Sequence, residues 1–152
     1  MSALKARITD EMKAALLGGN RFRGDVLRNV KAAILNEEVS LVKRDEGLSD
    51  AEIERVIARE VKKRRESAEL YRSNGRVELA DPEEKEAAIL QEFLPKQLSE
   101  DELRAVVAEV VAAMDEVSPQ QMGQVIGLVK SKVGTAGDGA MIAKIVKETL
   151  VK

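Results

Sequence analysis

Cysteine, histidine and tryptophan are absent from this 152-residue chain, and its aromatics reduce to Phe22, Tyr71 and Phe93. Without cysteine there is no disulfide, no thiolate nucleophile and no thiolate metal ligand. Without histidine the commonest acid–base group near neutrality and the imidazole ligand are missing too. No catalytic residue, metal site or cofactor is therefore expected. Three aromatics are too few for a base-stacking platform, which sets aside single-stranded RNA and leaves a structured RNA, read by shape and phosphate, as the nucleic-acid partner to consider. DNA is not expected. A net charge of −2 with a pI near 5.5 means that any such contact needs a local basic patch. No stretch of about twenty apolar residues occurs, and the opening MSALKARITDEMKAALLGGN has no apolar leader core, so the chain reads as soluble and cytoplasmic with no membrane partner.

What is present is helical periodicity. Leu4, Ile8, Met12, Ala15 and Leu16 step by three and four, as do Leu27, Val30, Ile34 and Leu41, and then Ile53, Ile57, Val61, Ala68 and Tyr71. DPEEKEAAILQEFLP predicts a fourth helix that opens at Asp81 as cap with Pro82 in the first helical position, and closes before Pro95. SEDEL is a capping box, with Ser99 and Glu102 satisfying each other's backbone amides, and it starts a helix whose apolar face runs Leu103, Val107, Val110 and Met114. Ser118, Pro119 and Gln121 open the next, and Met141 to Leu150 form the last. No stretch alternates long enough to be a strand. The reading is all-α: four helices in residues 1–95 and a three-helix bundle in residues 96–152.

Three features bear on function. GQVIGLVKSKVGTAGDG places Lys130 and Lys132 at a helix end and Gly134, Gly137 and Gly139 in the following loop. There is no preceding strand and no Lys-Ser/Thr after the last glycine, so a nucleotide-binding loop is not expected. Two readings stay open: a connector with glycine at a left-handed helix end, or a bare loop where a phosphate backbone approaches closely. From Val117 onward Lys130, Lys132, Lys144, Lys147 and Lys152 face only Asp138 and Glu148, either a solvated surface or a phosphate-binding one. Gly123 and Gly127, four apart, read as close packing against a neighbouring helix. In the basic run Arg59 to Arg76, Arg64 falls in the apolar stripe and is expected to be partly buried and ion-paired to Glu60 or to a carboxylate of the fourth helix.

VLRNVKAAILNEEVS, REVKKRRESAELYRSNGRVELADPEEKEAAILQEFLPKQLSEDEL and MGQVIGLVKSKVGTAGDGAMIAKIVKETL, in this order and over nearly the whole chain, resemble the YqeY family. That family is related to the tail domain of the B subunit of tRNA-dependent amidotransferase, a tail that contacts the outer body of tRNA. The resemblance implies a non-catalytic tRNA-binding accessory, with Lys130, Lys132, Gly134, Gly137, Gly139, Lys144 and Lys147 as the candidate contacts. Two alternatives accompany it. One is carbon–nitrogen ligase activity with glutamine as amido donor, which the missing nucleophile and base argue against. The other is a protein-interaction module docking on an aminoacyl-tRNA synthetase or an amidotransferase.

Overall fold

The computed structural model describes residues 2–151, so Lys152 lies outside the described residues. Seven α-helices run through them: α1 Ala3–Leu17, α2 Arg21–Ser40, α3 Asp50–Ser73, α4 Val77–Gln91, α5 Glu100–Ala112, α6 Met122–Val133 and α7 Gly139–Val151. Single 3₁₀ turns lie at Pro119–Gln121 and Gly134–Ala136, and no strand occurs among the described residues. The fold is all-α. The chain forms two compact units, one through Leu94 and one from Pro95 on.

In the first unit α1 and α2 fold back on each other, as do α3 and α4. The core collects Leu4 and Ile8 from α1, Val26, Leu27, Val30 and Ile34 from α2, Ile53, Val56, Ile57 and Val61 from α3, and Ala87 and Leu90 from α4. Each fully buried Ile or Leu contributes about 2 kcal/mol through removal of apolar surface from water. Gly24 is buried at the α1–α2 contact, where Leu16 lies over its bare backbone and would have to move aside for a Cβ. A capping box of Ser49 and Glu52 starts α3.

Two sequence expectations are corrected here. Helix α4 starts at Val77, not after Asp81, and Pro82 lies inside it. The reversal at Asn74–Gly75, with Gly75 at φ +73°, launches the new helix at once, and Ala80 is fully buried in its second turn. Pro82 removes a single bond to the carbonyl of Glu78, near the helix start and on an exposed residue, where water can satisfy it. The amino-terminal cap is Arg76, which makes no capping bond, and Arg76 Nε instead holds Glu78 Oε1 at 2.7 Å. Leu41, counted above among the apolar steps of the second helix, lies just past its end and is 45% exposed.

One charged side chain is fully inside the first unit. Glu38, in the last turn of α2, is 1% exposed, and Lys5 Nζ donates to both of its carboxylate oxygens at 2.9 and 3.1 Å. Burying a carboxylate is tolerable only with such a partner.

In the second unit α5, α6 and α7 enclose Leu103, Val107, Val110, Val125, Val129, Ile142, Ile145, Val146 and Leu150. Ser99 and Glu102 form the capping box that opens α5. No described helix is long and apolar enough to cross a membrane.

Candidate functional site

The sequence candidates lie on α6, on the turn after it and on α7. Their surroundings differ, and the differences sort them. Lys132 Nζ donates to Glu109 Oε1 of α5 at 2.9 Å, and this bond holds the Glu109 carboxyl below its ordinary range. Its charge is already partnered inside the unit. Lys144 lies close enough to Glu100 to help Arg104 lower the carboxyl of that residue; Arg104 itself bridges Glu100 at 2.8 Å and Glu148 at 3.0 Å. Lys130 and Lys147 are exposed and make no ion pair with any described residue. At 100° per residue Gly123, Gly127 and Lys130 share one flank of α6, while Lys132 falls on another. Lys130 reaches toward the start of α7, its Nζ 3.7 Å from where a Cβ on Gly139 would sit.

The glycines have separate causes. Gly134 ends α6 at φ +56°, ψ −139°, a conformation that side chains resist. It is a helix terminator, though not in the left-handed helical well, where ψ would be positive. Gly137 is bare for packing reasons, since a Cβ there would lie 2.5 Å from Val133 Cγ2 and 3.0 Å from Ile142 Cδ1. A Cβ there would point at the core. Gly123 and Gly127 overturn the close-packing expectation: both are exposed, and a Cβ on either would meet nothing within 4 Å. An interior helical glycine costs about 1 kcal/mol relative to alanine, and no neighbour among the described residues requires it.

Arg64, the other singled-out residue, sits between α3 and α4 with its side chain 12% exposed. Its Nη1 donates to the Glu60 carbonyl at 3.1 Å and lies 3.4 Å from Glu60 Oε1, while Nε is 3.6 Å from Glu86 Oε2 on α4 without a hydrogen bond. Burial pushes the Glu86 carboxyl up and Arg64 pulls it back. This pair ties two helices together. No group of three or more acidic residues among the described ones could hold a metal ion.

A feature that periodicity could not display joins the loop to the chain ahead of α5. The Leu98 amide donates to the Ala136 carbonyl at 2.8 Å, and Gln97 Nε2 donates to the Thr135 carbonyl at 2.8 Å. No local motif announces it, because the partners are 38 residues apart.

Against known families, the model described as Yqey-like protein matches residues 5–150. The chain belongs to the YqeY family. Among curated relatives it is similar to the Kluyveromyces lactis protein named "Altered inheritance of mitochondria protein 41, mitochondrial", with 28% identity over 131 residues, covering 84% of this chain and 69% of that protein. The matched region takes in α6, the glycine loop and nearly all of α7, together with the first unit from residue 5 on.

Proposed function

We propose that this YqeY-family protein is a non-catalytic accessory that binds tRNA, associated with tRNA-dependent amidation, and that the flank of α6 beside the start of α7 is its RNA-facing surface. The observation that carries this reading is the coincidence on one flank of two glycines that packing leaves unexplained with Lys130, a cation free of internal partners. Bare helical backbone lets a ribose-phosphate chain come close, and unpaired ammonium groups neutralise phosphate without first breaking an internal salt bridge. Lys147 of α7 is the second uncommitted cation. Lys144 and Lys132 contribute less, because Glu100 and Glu109 already compete for them. Cytoplasmic residence belongs to the same proposal.

The test is a fluorescence-anisotropy titration with unfractionated tRNA and a length-matched RNA duplex at several salt concentrations. Preferential tRNA binding that weakens with salt is expected. Lys130→Ala and Lys147→Ala should each flatten the logarithmic salt slope by about one, the signature of one lost phosphate contact, and Lys132→Ala by clearly less. Absence of binding at low salt would overturn the reading. A protein-docking role on a synthetase or amidotransferase would then lead, favoured by the exposed apolar Leu35 and Val39 of α2 and Val42 beyond it. Nuclease-treated pull-downs with those enzymes separate it, since direct protein contact survives loss of RNA.

A further inference from the structure

The segment Pro95 to Ser99 is the covalent path from the first unit into α5, and it does more than span. Its two central residues are bonded to the glycine loop: Gln97 through its side-chain amide to the Thr135 carbonyl and Leu98 through its backbone amide to the Ala136 carbonyl, both at 2.8 Å. These two carbonyls are consecutive and belong to the 3₁₀ turn Gly134–Ala136. Leu98 also packs its side chain against the core of the second unit, and the capping box at Ser99 fixes the segment's far end. On its other side the same loop is pressed down at Gly137, where there is no room for a Cβ beside Val133 and Ile142.

We infer that residues 97–98 form a strap that sets the conformation of the Gly134–Gly139 loop, with Gln97 as a positioning residue. The loop's own backbone begins at a glycine-only angle and closes with a bond as long as 3.4 Å, Gly137 amide to Gly134 carbonyl. Two short bonds from outside add to what holds it. The consequence for RNA rests on the function proposed above: tRNA affinity then depends on the loop order that this strap maintains.

The experiment uses the full chain and the substitution Gln97→Met, which keeps length and neutrality while removing the donor; Gln97 is exposed, so the fold is retained. Backbone amide exchange at residues 134–139 is compared with that of Val125 and Val129 inside α6, and tRNA affinity is titrated in parallel. Loss of the Gln97 hydrogen bond should accelerate loop exchange about three- to tenfold and leave α6 unchanged. The affinity for unfractionated tRNA should fall by about the same factor with an unaltered salt slope, since no charge is removed. Unchanged loop exchange overturns the strap. Faster loop exchange with unchanged tRNA affinity overturns its positioning role, and faster exchange in a protein whose wild type binds no tRNA supports the strap while overturning the RNA reading.

Discussion

The Lys5–Glu38 pair gives the sharpest quantitative prediction for the first unit. Glu38 is 1% exposed and its two oxygens share one ammonium, whereas the Lys5 side chain is 27% exposed. Lys5→Met keeps the aliphatic stem and leaves a carboxylate in the core without its cation. Breaking a buried pair in this way ordinarily costs 3–5 kcal/mol. A cavity of about 180 Å³ bordered by Ser2, Lys5, Glu38 and Gly47 can admit water to the stranded carboxylate, which argues for the lower end, about 3 kcal/mol. Glu38→Met removes the buried charge and frees Lys5 toward solvent, so its cost is about 1 kcal/mol, and the double variant should stay near that value. The coupling between the two positions is then about 3 kcal/mol. The assay is urea unfolding followed by the fluorescence of Tyr71, the single tyrosine of a chain without tryptophan and a residue of α3, so the signal reports the first unit. For a unit of this size 3 kcal/mol corresponds to a Tm decrease of roughly 10–20 °C. Additive single effects, with coupling under about 0.5 kcal/mol, would refute the claim that the ammonium is what makes the buried carboxylate tolerable.

Further outcomes follow from local geometry. Gly137→Ala should destabilise the second unit by about 1–3 kcal/mol because Val133 and Ile142 must move, while Gly123→Ala and Gly127→Ala should each stabilise it by about 0.5–1 kcal/mol; chemical denaturation followed by circular dichroism reads both, and a destabilising Gly123→Ala would mean that its surroundings are not open. The Lys43 ammonium, with the Ser49 amide and hydroxyl, holds the Glu52 carboxyl down to about 2 from its ordinary 4.5. Its folded pKa is depressed, so its contribution to stability is present above about 4.5 and is lost as pH falls through about 2. Carbon-detected titration of Glu52 checks this, and a midpoint in the ordinary carboxylate range would refute it. Helix α3 should also begin to fray in that acid window, because the same carboxylate closes its capping box.

Much of the helical pattern was legible in the sequence because burial on a helix recurs every three to four residues, and Ile8, Leu27, Ile34, Ile53, Ile57, Leu103, Ile142 and Ile145 all fall on that recurrence and are all buried to 1% or less. The capping box at Ser99 was legible for a similar reason, since its partners lie three residues apart. The start of α4 was not. Local preference placed Pro82 at the first helical position, but the α3–α4 hairpin buries Ala80 and turns at Gly75, and packing outweighs one missing hydrogen bond. Glu38 was also invisible, because a glutamate in the charged run NEEVS carries no local sign that Lys5, 33 residues earlier, will meet it inside the protein.

At the candidate site the sequence alone supplied residue types and their spacing along the chain: lysines at a helix end and a glycine-rich turn, with no cysteine or histidine. Which lysines remain uncommitted was decided by tertiary structure, through Glu109 and Glu100 on a different helix. So was the distinction between Gly137, bare because the core leaves no room, and Gly123 and Gly127, bare against open space. Periodicity and capping act over three or four residues, within reach of the sequence, whereas ion pairing, steric exclusion and the Gln97–Leu98 strap depend on residues brought together across tens of positions by the packed core.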